Sequence, residues 1–475
     1  MTETDLPKEL AIRRLDASSP DFPQQLGILR AQLSPTGNVV SEKGRELTLR
    51  VFGEPLLPHQ VVQRICSDVQ SEGRAAVLRY CKQLDNADLS SDAASNRLAI
   101  EVSELEKAHR NASPKFLSCV RRIRENIRGF QEAILHHDVR YEPRPGIRLD
   151  QRYVPMRRVG ICVPGGAAAY PSTVLMTAVP ALAAGVEEIA IVAPPTRFGA
   201  YNADVLATCY ELGIREVYPI GGAQAVAALA YGIEGLPSVD KIVGPGNLFV
   251  ALAKKQVYGA VDIDSIAGPS EVVVIADSTT NAAYTAADML AQSEHSPGAS
   301  LLVTWDHDLI GQVEDQLKLQ LASLSRSALT LESLNAFGAV ILVRDASQAC
   351  EVTDLIAPEH LHIACQQPRL LADKIRNAGA TFLGPFSPVA LGDYAAGPSH
   401  VLPTGGTARW AAGLSANAFL RSGSVIEYSE SALRDVAEDI ETLAVTEGLT
   451  AHRNSVAIRL AEYSPDDSHS SLDCN

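Results

Sequence analysis

Apolar runs with the length of buried strands alternate with helix-like segments through most of the chain, and this alternation restricts the fold more than any other feature. The runs form two series, at 159–163, 188–193, 216–219 and 241–243 and then at 271–275, 300–304, 339–343, 361–364 and 380–383. Continuous apolar strands separated by helices indicate parallel sheets covered on both faces. We therefore predict the α/β class, with two Rossmann-like doubly wound parallel-sheet domains of similar architecture.

The two ends of the chain lack this alternation. Residues 1–57 show no strong period, and we predict an N-terminal extension that packs on another domain or on a partner subunit. Helix starts are predicted at Pro58, at Ser103 with a capping box completed by Glu106, and at Ser113 before Pro114. The helix from Ser113 carries a stripe that we assign to the core, namely Phe116, Val120, Ile123, Ile127, Phe130 and Ile134. The tail predicts amphipathic helices at 432–444 and 449–460, then disorder over 464–475.

Composition excludes several classes of protein. The chain has 41 basic and 56 acidic residues, a net charge of −15, which disfavours nucleic acid and anionic membranes as partners. Its eight cysteines form no Cys-x-x-Cys pair, which is typical of a reduced cytoplasmic protein rather than of a disulfide framework. The N-terminus has no apolar segment of the signal-peptide type. At 475 residues, the chain is expected to form two or three domains.

Three glycine-rich loops follow strands of the first series. They are Pro164-Gly165-Gly166, Gly221-Gly222-Ala223-Gln224 and Gly244-Pro245-Gly246-Asn247. Because ligands of parallel sheets bind beyond the carboxyl ends of the strands, these loops suit a dinucleotide. None is the usual Gly-x-Gly-x-x-Gly fingerprint, so tight turns explain them about as well.

Two pairs of polar residues in the second series suggest chemistry. Glu359 and His360 stand side by side at a predicted turn before a strand, and they offer two proton acceptors of different basicity. Gln292 and His295 are spaced i, i+3 at the end of a helix that starts near Asn281, and with Asp393 and His452 they could complete a tetrahedral metal site. Taken alone, the first pair is more often a solvated edge and the second is more often structural.

The motifs taken together resemble the histidinol dehydrogenase family over residues 58–460. The resemblance rests on the segments 163–166, 244–247, 267–271, 292–295, 357–361, 392–394, 400–406 and 447–452. It implies an NAD-dependent four-electron oxidation of L-histidinol, through an enzyme-held aldehyde, to L-histidine. The two cofactors that it implies are NAD and Zn²⁺, with one zinc ion per subunit.

The resemblance also implies a role for each matching residue. Zinc is held by Gln292, His295, Asp393 and His452, the last supplied by the second subunit of a homodimer with shared active sites. The substrate contacts these four residues together with His360, and it is oriented by Ser270, His400 and Glu447. His360 is the base for both oxidations, and Glu359 activates the water that forms the aldehyde hydrate. NAD contacts Gln224, Asn247 and the position of Cys162, where the family usually has tyrosine; His362 takes a place usually held by Glu or Gln.

These roles complete the predicted domain plan. After the extension at 1–57, residues 58–161 and 271–400 form the domain with the metal and catalytic residues. Residues 162–270 form the NAD-binding domain, and 401–475 form a C-terminal dimerisation tail, so that both ends of the chain supply helical segments for dimerisation. Two alternatives remain at this point: a paralogue with the same cofactors that oxidises another polar alcohol such as a sulfonated diol, and a non-catalytic binding protein on the same scaffold.

Overall fold

A computed structural model of the chain describes residues 9–32, 42–89, 98–166, 168–266, 268–295 and 297–461. Its strands are β1 (Arg13–Asp16), β2 (Val139–Tyr141), β3 (Ile147–Pro155), β4 (Arg158–Cys162), β5 (Glu188–Val192), β6 (Glu216–Tyr218), β7 (Lys241–Val243), β8 (Asp262–Ile263), β9 (Ser270–Ala276), β10 (Gly298–Thr304), β11 (Ala339–Leu342), β12 (His360–Ile363), β13 (Ala380–Leu383) and β14 (Leu420–Tyr428). Every strand predicted from an apolar run is present.

The helices fill most of the remaining described chain. They are α1 (Phe22–Gln32), α2 (Glu42–Phe52), α3 (Pro58–Glu72), α4 (Arg74–Leu84), α5 (Val102–Asn111), α6 (Pro114–Ala133), α7 (Pro171–Ala184), α8 (Ala203–Glu211), α9 (Gly222–Tyr231), α10 (Leu248–Val257), α11 (Ala282–Ser293), α12 (His307–Leu321), α13 (Ser327–Phe337), α14 (Ala346–Ile356), α15 (Pro368–Ala372), α16 (Val389–Tyr394), α17 (Glu430–Thr446) and α18 (Thr450–Leu460). Short 3₁₀ turns lie at Thr407–Arg409 and Ala416–Phe419. Within the described residues, no helix is both long enough and apolar enough to cross a lipid bilayer.

Two parallel sheets share one topology. The five-stranded sheet has the order β6-β5-β4-β7-β8, and the six-stranded sheet has the order β1-β11-β10-β9-β12-β13. In each sheet the chain steps outward from a central strand in one direction and then returns to the other side of that strand. The strand order therefore reverses between β4 and β7 and again between β9 and β12, as in doubly wound folds. The predicted α/β class with two such sheets is confirmed.

The first compact unit, formed by the described residues up to Leu135 and by those within Met156–Phe419, contains both sheets. All of β10 and β4 is buried, because helices cover the two faces of each sheet. Helices α3 and α4 pack against α9, so they cover the five-stranded sheet rather than the six-stranded one. The predicted boundaries at 58, 162, 271 and 401 stay a prediction, since both sheets lie in the same compact unit.

The N-terminal residues contribute directly to a sheet. Strand β1 pairs in parallel with β11 at the edge of the six-stranded sheet, with Arg13 opposite Ala339. Behind it, α1 buries Phe22, Leu26 and Leu29 in the core beneath that sheet. This strand could not be predicted from an apolar pattern, because it has only four residues and a single one of them is buried.

Local helix signals were right at one start and wrong at another. The Ser113 hydroxyl accepts a hydrogen bond from the Phe116 N–H at 3.1 Å, so the predicted cap of α6 is confirmed. The predicted cap at Ser103 is wrong, because α5 already begins at Val102 and Glu101 occupies the cap position. In the α6 stripe, Phe130 is 38% exposed, so that part of the predicted core assignment is also wrong.

The second compact unit contains residues 136–155 and the described residues from 420 onward. Strand β3 lies between β2 and β14 in an antiparallel sheet, in which Ile147 pairs with Tyr428. Helices α17 and α18, both predicted, pack against each other. Much of the apolar surface of this unit is open, and Ile426 and Ile458 are more than 70% exposed. The predicted disorder over 464–475 lies outside the described residues.

Candidate active site

A cleft of about 980 Å³ lies in the first unit, where the two sheets face each other. Its lining includes Asn247, beyond the carboxyl end of β7, and Ser270 and His360, which are the first residues of β9 and β12. The expectation that site residues follow the carboxyl ends of strands is therefore right for the five-stranded sheet and wrong for the six-stranded one. The six-stranded sheet presents its amino ends to the cleft.

The turn that leads into β12 contains Ala357 in a backbone conformation that is uncommon for alanine. Helix α14 ends at Ala357 with φ of 52°, in the left-handed region that non-glycine residues seldom adopt. Pro358 follows, and Glu359 and His360 come next, both buried and both lining the cleft. Strained backbone of this kind tends to occur at functional sites. This short turn directs two adjacent polar side chains into one cleft, as predicted from their position before a strand.

Glu359 is a buried carboxyl group held by two donors. Its Oε2 accepts hydrogen bonds from the Ser270 hydroxyl at 2.6 Å and from the Glu271 backbone N–H at 2.9 Å. Burial raises the pKa of Glu359 to about 8, even though both hydrogen bonds favour the charged form. A carboxyl group with such a pKa can gain and lose a proton near neutral pH, as a general base must.

His360 is oriented so that one ring nitrogen can accept a proton. Its Nδ1 lies 3.2 Å from the Glu271 carbonyl oxygen, and an oxygen that can only accept places the hydrogen on Nδ1. The Nε2 atom then carries the lone pair, and it lies 3.8 Å from Asp393 Oδ1. Burial lowers the pKa of His360, against the opposing effect of the Asp393 charge, so the neutral ring is favoured. The geometry is that of a base aimed into the cleft.

Three of the four predicted metal ligands lie on the first unit. The Gln292 side chain donates from Nε2 to the Ser270 hydroxyl at 2.5 Å, whereas its buried Oε1 has no hydrogen-bond partner among the described residues. His295 lies in the turn after α11, not within it, and Asp393 lies near the end of α16. Both line the cleft; the His295 side chain has surface open to it, and desolvation by the surrounding protein lowers its pKa while the Asp393 charge opposes this shift.

This donor set suits zinc but is incomplete within one unit. A neutral imidazole, a carboxylate and an amide oxygen are nitrogen and oxygen donors of the kind that zinc accepts. The described residues nevertheless contain no cluster of three or more His, Cys, Asp or Glu side chains that could hold a metal ion. The unpartnered Gln292 oxygen is the feature that a metal ion would satisfy.

His400 adds a second unsatisfied group to the same cleft. Its Nδ1 lies 3.1 Å from the Asp393 carbonyl oxygen, which fixes the hydrogen on Nδ1. The buried Nε2 has no partner among the described residues, and burial lowers the pKa of the ring. A buried acceptor without a partner is uncommon in proteins, so it marks a position that a ligand can fill.

The three predicted cofactor residues differ in their positions. Asn247 lines the cleft, where its Oδ1 caps α10 by accepting from the N–H groups of Phe249 and Val250. Cys162 is buried in the core of the five-stranded sheet, and the Gln224 amide donates to Asp85 at 2.9 Å. Neither of these two contributes to the described lining of the cleft. Their contacts with NAD stay a prediction.

The two tail residues lie on the second unit. Glu447 follows the last turn of α17 and His452 lies in the first turn of α18. Both side chains are exposed on that unit. Their roles as substrate and metal ligands stay predictions.

Sequence reasoning gave no role to Glu271, which connects several parts of the site. Its backbone N–H and carbonyl contact Glu359 and His360, and its carboxyl group accepts from the Gly405 N–H at 3.0 Å. Burial, followed by the charge of Glu359, raises the pKa of Glu271 to about 8. No sequence signal set it apart, since Glu188 and Glu216 also stand at the start of apolar strands.

His362, two residues after His360, forms a buried bridge. Its Nδ1 lies 2.8 Å from Asp288 Oδ2, and its Nε2 donates to the Gly384 carbonyl oxygen at 2.9 Å. Burial acts against the charged ring, but the contacts with Asp288 and Gly384 outweigh it and raise the pKa of His362. Asp288 lies one turn before Gln292 on α11, so the bridge joins that helix to β12.

Comparison with known proteins gives one consistent family. A sequence profile described as histidinol dehydrogenase matches residues 58–460. A histidinol dehydrogenase of Rhodopirellula baltica is 61% identical over 454 residues, 95% of this chain and 98% of the relative, and one of Clostridium acetobutylicum is 44% identical over 401 residues, 84% and 92%. The crystal structure of histidinol dehydrogenase from Elizabethkingia anophelis matches the fold with a TM-score of 0.84 at 30% identity, covering 96% of this chain and 99% of that one.

Proposed function

Because the chain belongs to the histidinol dehydrogenase family and is an oxidoreductase of that family, we propose that its cleft oxidises L-histidinol through L-histidinaldehyde to L-histidine, with NAD and one zinc ion per subunit. The observation that carries this proposal is the buried Glu359–His360 pair, which faces the same cleft as the candidate metal ligands. The reaction contributes to histidine biosynthesis, and we place it in the cytoplasm, where cysteines such as the free ones described here stay reduced.

His360 removes the hydroxyl proton in each oxidation. The contact of its Nδ1 with the Glu271 carbonyl leaves Nε2 as the acceptor, so the ring is ready before substrate binds. NAD, when bound, supplies the hydride acceptor. Loss of the proton to Nε2 allows hydride to leave from the adjoining carbon, and the same geometry serves the alcohol and later the aldehyde hydrate.

Glu359 acts between the two oxidations. The aldehyde must take up water before it can be oxidised again, and that water must lose a proton as it adds. Glu359 in its charged form accepts this proton, while the Ser270 hydroxyl and the Glu271 N–H hold the carboxylate in place. A group with this task is needed only for the second oxidation, which separates its role from that of His360.

Gln292, His295 and Asp393 would hold the zinc ion together with His452 of a second subunit. The bound ion would supply positive charge and a coordination point for polar groups of the substrate. Ser270, His400 and Glu447 complete the orientation of the substrate. The unpartnered Gln292 Oε1 and His400 Nε2 support these two assignments.

NAD occupies the part of the cleft at the carboxyl ends of β4 and β7. Helix α7 starts there without a side-chain cap, and Tyr170 and Thr173 at its start line the cleft. The positive end of a helix dipole favours a phosphate group, although in α7 Pro171 has no N–H and the Thr173 N–H donates to the Tyr170 carbonyl oxygen at 3.1 Å. Asn247, on the neighbouring loop, presents its amide side chain to the same space.

The position of the tail residues supports a homodimer. Glu447 and His452 are carried by a unit with open apolar surface, including Leu443 and Ile458. Exposed apolar surface of this extent is typical of protein interfaces. We assign this unit to contact with a second copy of the chain, so that each active site takes residues from both subunits.

Initial rates with several alcohols test the proposed function. NADH formation from L-histidinol should far exceed that from a sulfonated diol or from ethanol at equal concentration. A preference for the sulfonated diol would instead assign the chain to the alternative dehydrogenase, and no NADH with any alcohol would support a non-catalytic protein.

Removal of the metal should abolish turnover. After dialysis against a chelator, the protein is expected to be inactive, and added zinc should restore activity. His295→Asn should lower the zinc content measured by elemental analysis, because a neutral nitrogen ligand is lost. His307→Asn, at an exposed position at the start of α12, provides the matched control with normal zinc content. Full activity in protein shown to be metal-free would refute the assignment.

A further inference from the structure

A buried ion pair lies directly behind the loop at 244–247. Lys254, on α10, contacts Asp264 through Nζ and Oδ1, and the two side chains are only 2% and 3% exposed. The pair is not part of the proposed chemistry, because neither residue is a proposed base or metal ligand. Two buried charges beside one small loop are costly to desolvate, so their position calls for an explanation.

Both charged side chains form hydrogen bonds with the backbone of Gly244. Lys254 Nζ donates to the Gly244 carbonyl oxygen at 3.0 Å, and Asp264 Oδ2 accepts from the Gly244 N–H at 2.7 Å. Gly244 has φ of 103°, in the region that favours glycine, and a Cβ there would lie 2.3 Å from the Cys162 carbonyl oxygen. The turn at Gly244 therefore has its two backbone polar groups fixed by the ion pair and no side chain of its own to hold it.

The loop fixed in this way forms one wall of the cleft. Residues 244–247 line it and then lead into α10, whose first turn is capped by Asn247. Lys254 lies two turns further along the same helix, so its contact with Gly244 ties the helix back to the start of the loop. Any change at the pair is transmitted to the backbone of Gly244 and then to the cleft wall.

A second lysine–aspartate pair on the same sheet lacks this connection. Lys241 Nζ lies 2.7 Å from Asp262 Oδ2, at the opposite end of β7 from Gly244. Lys241 is the first residue of β7, whereas the loop at 244–247 follows the last residue of that strand. The two pairs thus differ in what they support, and one serves as a control for the other.

We infer that Lys254 and Asp264 are positioning residues for NAD, holding the Gly244 turn so that the loop at 244–247 keeps the shape that receives the dinucleotide. This inference rests on the proposed function, because it assumes that NAD binds at this loop. The pair is expected to affect the affinity for NAD and not the rates of the chemical steps. The affinity for L-histidinol is expected to stay unchanged.

The test uses a double variant, Lys254→Met with Asp264→Asn, in the full chain. It removes both charges together, so no unpaired charge stays buried, and asparagine can still accept from the Gly244 N–H. The matched control is Lys241→Met with Asp262→Asn. Lys254→Gln with Asp264→Asn retains a donor for the Gly244 carbonyl and gives the readout if the first variant does not fold. Each protein is titrated with NADH by fluorescence and assayed for KM of NAD and of L-histidinol.

The methionine variant should bind NADH about tenfold more weakly and show a similar rise in KM for NAD, as expected for a lost charge-assisted hydrogen bond. The glutamine variant should lose about threefold, while KM for L-histidinol stays unchanged in both. The control pair should match wild type. Unchanged NADH affinity in a folded variant, or an equal loss in the control pair, would overturn the inference. Wild-type protein that neither binds NADH nor oxidises histidinol would instead refute the proposed function.

Discussion

His360→Asn should slow the oxidation of both the alcohol and the aldehyde hydrate by about 10²–10⁴-fold, the usual loss for a general base. The reason is geometric: Nε2 is the only ring nitrogen left free to accept a proton, since Nδ1 is engaged by the Glu271 carbonyl. Asparagine cannot accept a proton at that position. His307→Asn serves as the control because His307 is exposed at the start of α12. Near-normal rates in His360→Asn would contradict the assignment.

Glu359→Gln should separate the two oxidations. Alcohol oxidation should be nearly unaffected, whereas the hydrate-dependent step should fall by about 10²–10⁴-fold, because glutamine cannot take the proton of the added water. A separate assay on L-histidinaldehyde measures the second step alone. Equal losses in the two steps would argue against a special role for Glu359.

The pH profile gives a further check on Glu359. Burial raises its pKa to about 8, so below that pH the carboxyl group holds its proton and cannot act as a base. The rate of the aldehyde step in wild type should therefore rise as pH increases through about 8. The residual rate of Glu359→Gln should lack this rise, since its side chain does not titrate.

Mixed dimers should recover activity that neither parent possesses. Asp393→Ala and His452→Ala should each give an inactive homodimer, because every site lacks one zinc ligand. If each site combines Asp393 of one subunit with His452 of the other, a mixed dimer contains one site with both defects and one intact site. Random assembly makes about half of the dimers mixed, so roughly a quarter of wild-type activity should return.

Coexpression with two affinity tags isolates the mixed dimers for the histidinol assay, and in this purified sample about half of wild-type activity is expected, because one of the two sites is intact. Mixtures of either variant with wild type provide the reference for assembly. If each site were built within one chain, every mutant site would still lack a ligand. No recovery in purified mixed dimers would therefore refute the shared site.

Long buried strands could be predicted from the sequence because most residues of a doubly covered strand are apolar. The run at 300–304 is an example, and in the structure β10 is buried throughout. Strand β1 could not be found in this way, since it lies at a sheet edge with one buried residue. The cap at Ser103 failed because a serine can also stand inside a first helical turn, and Ser103 is the second residue of α5, with Glu106 beyond that turn.

Some residues of the candidate site could likewise be predicted from the sequence, and others could not. Glu359 and His360 are adjacent in sequence, so their common position could be predicted, as could that of Gln292 near His295. Glu271 and Lys254 could not be assigned, because their importance depends on contacts with residues far along the chain or on a backbone turn. The sequence also did not reveal that the six-stranded sheet presents its amino ends to the cleft, since strand direction relative to a second sheet is a property of packing.

The number of NADH formed per histidinol distinguishes the proposed four-electron oxidation from a single alcohol oxidation. Purified protein with zinc, excess NAD and a known amount of L-histidinol should be followed to completion, with NADH measured by absorbance and the product by chromatography. We expect two NADH and one L-histidine for each L-histidinol consumed, with no free aldehyde. One NADH per histidinol with released aldehyde, or no consumption of histidinol at all, would contradict the account.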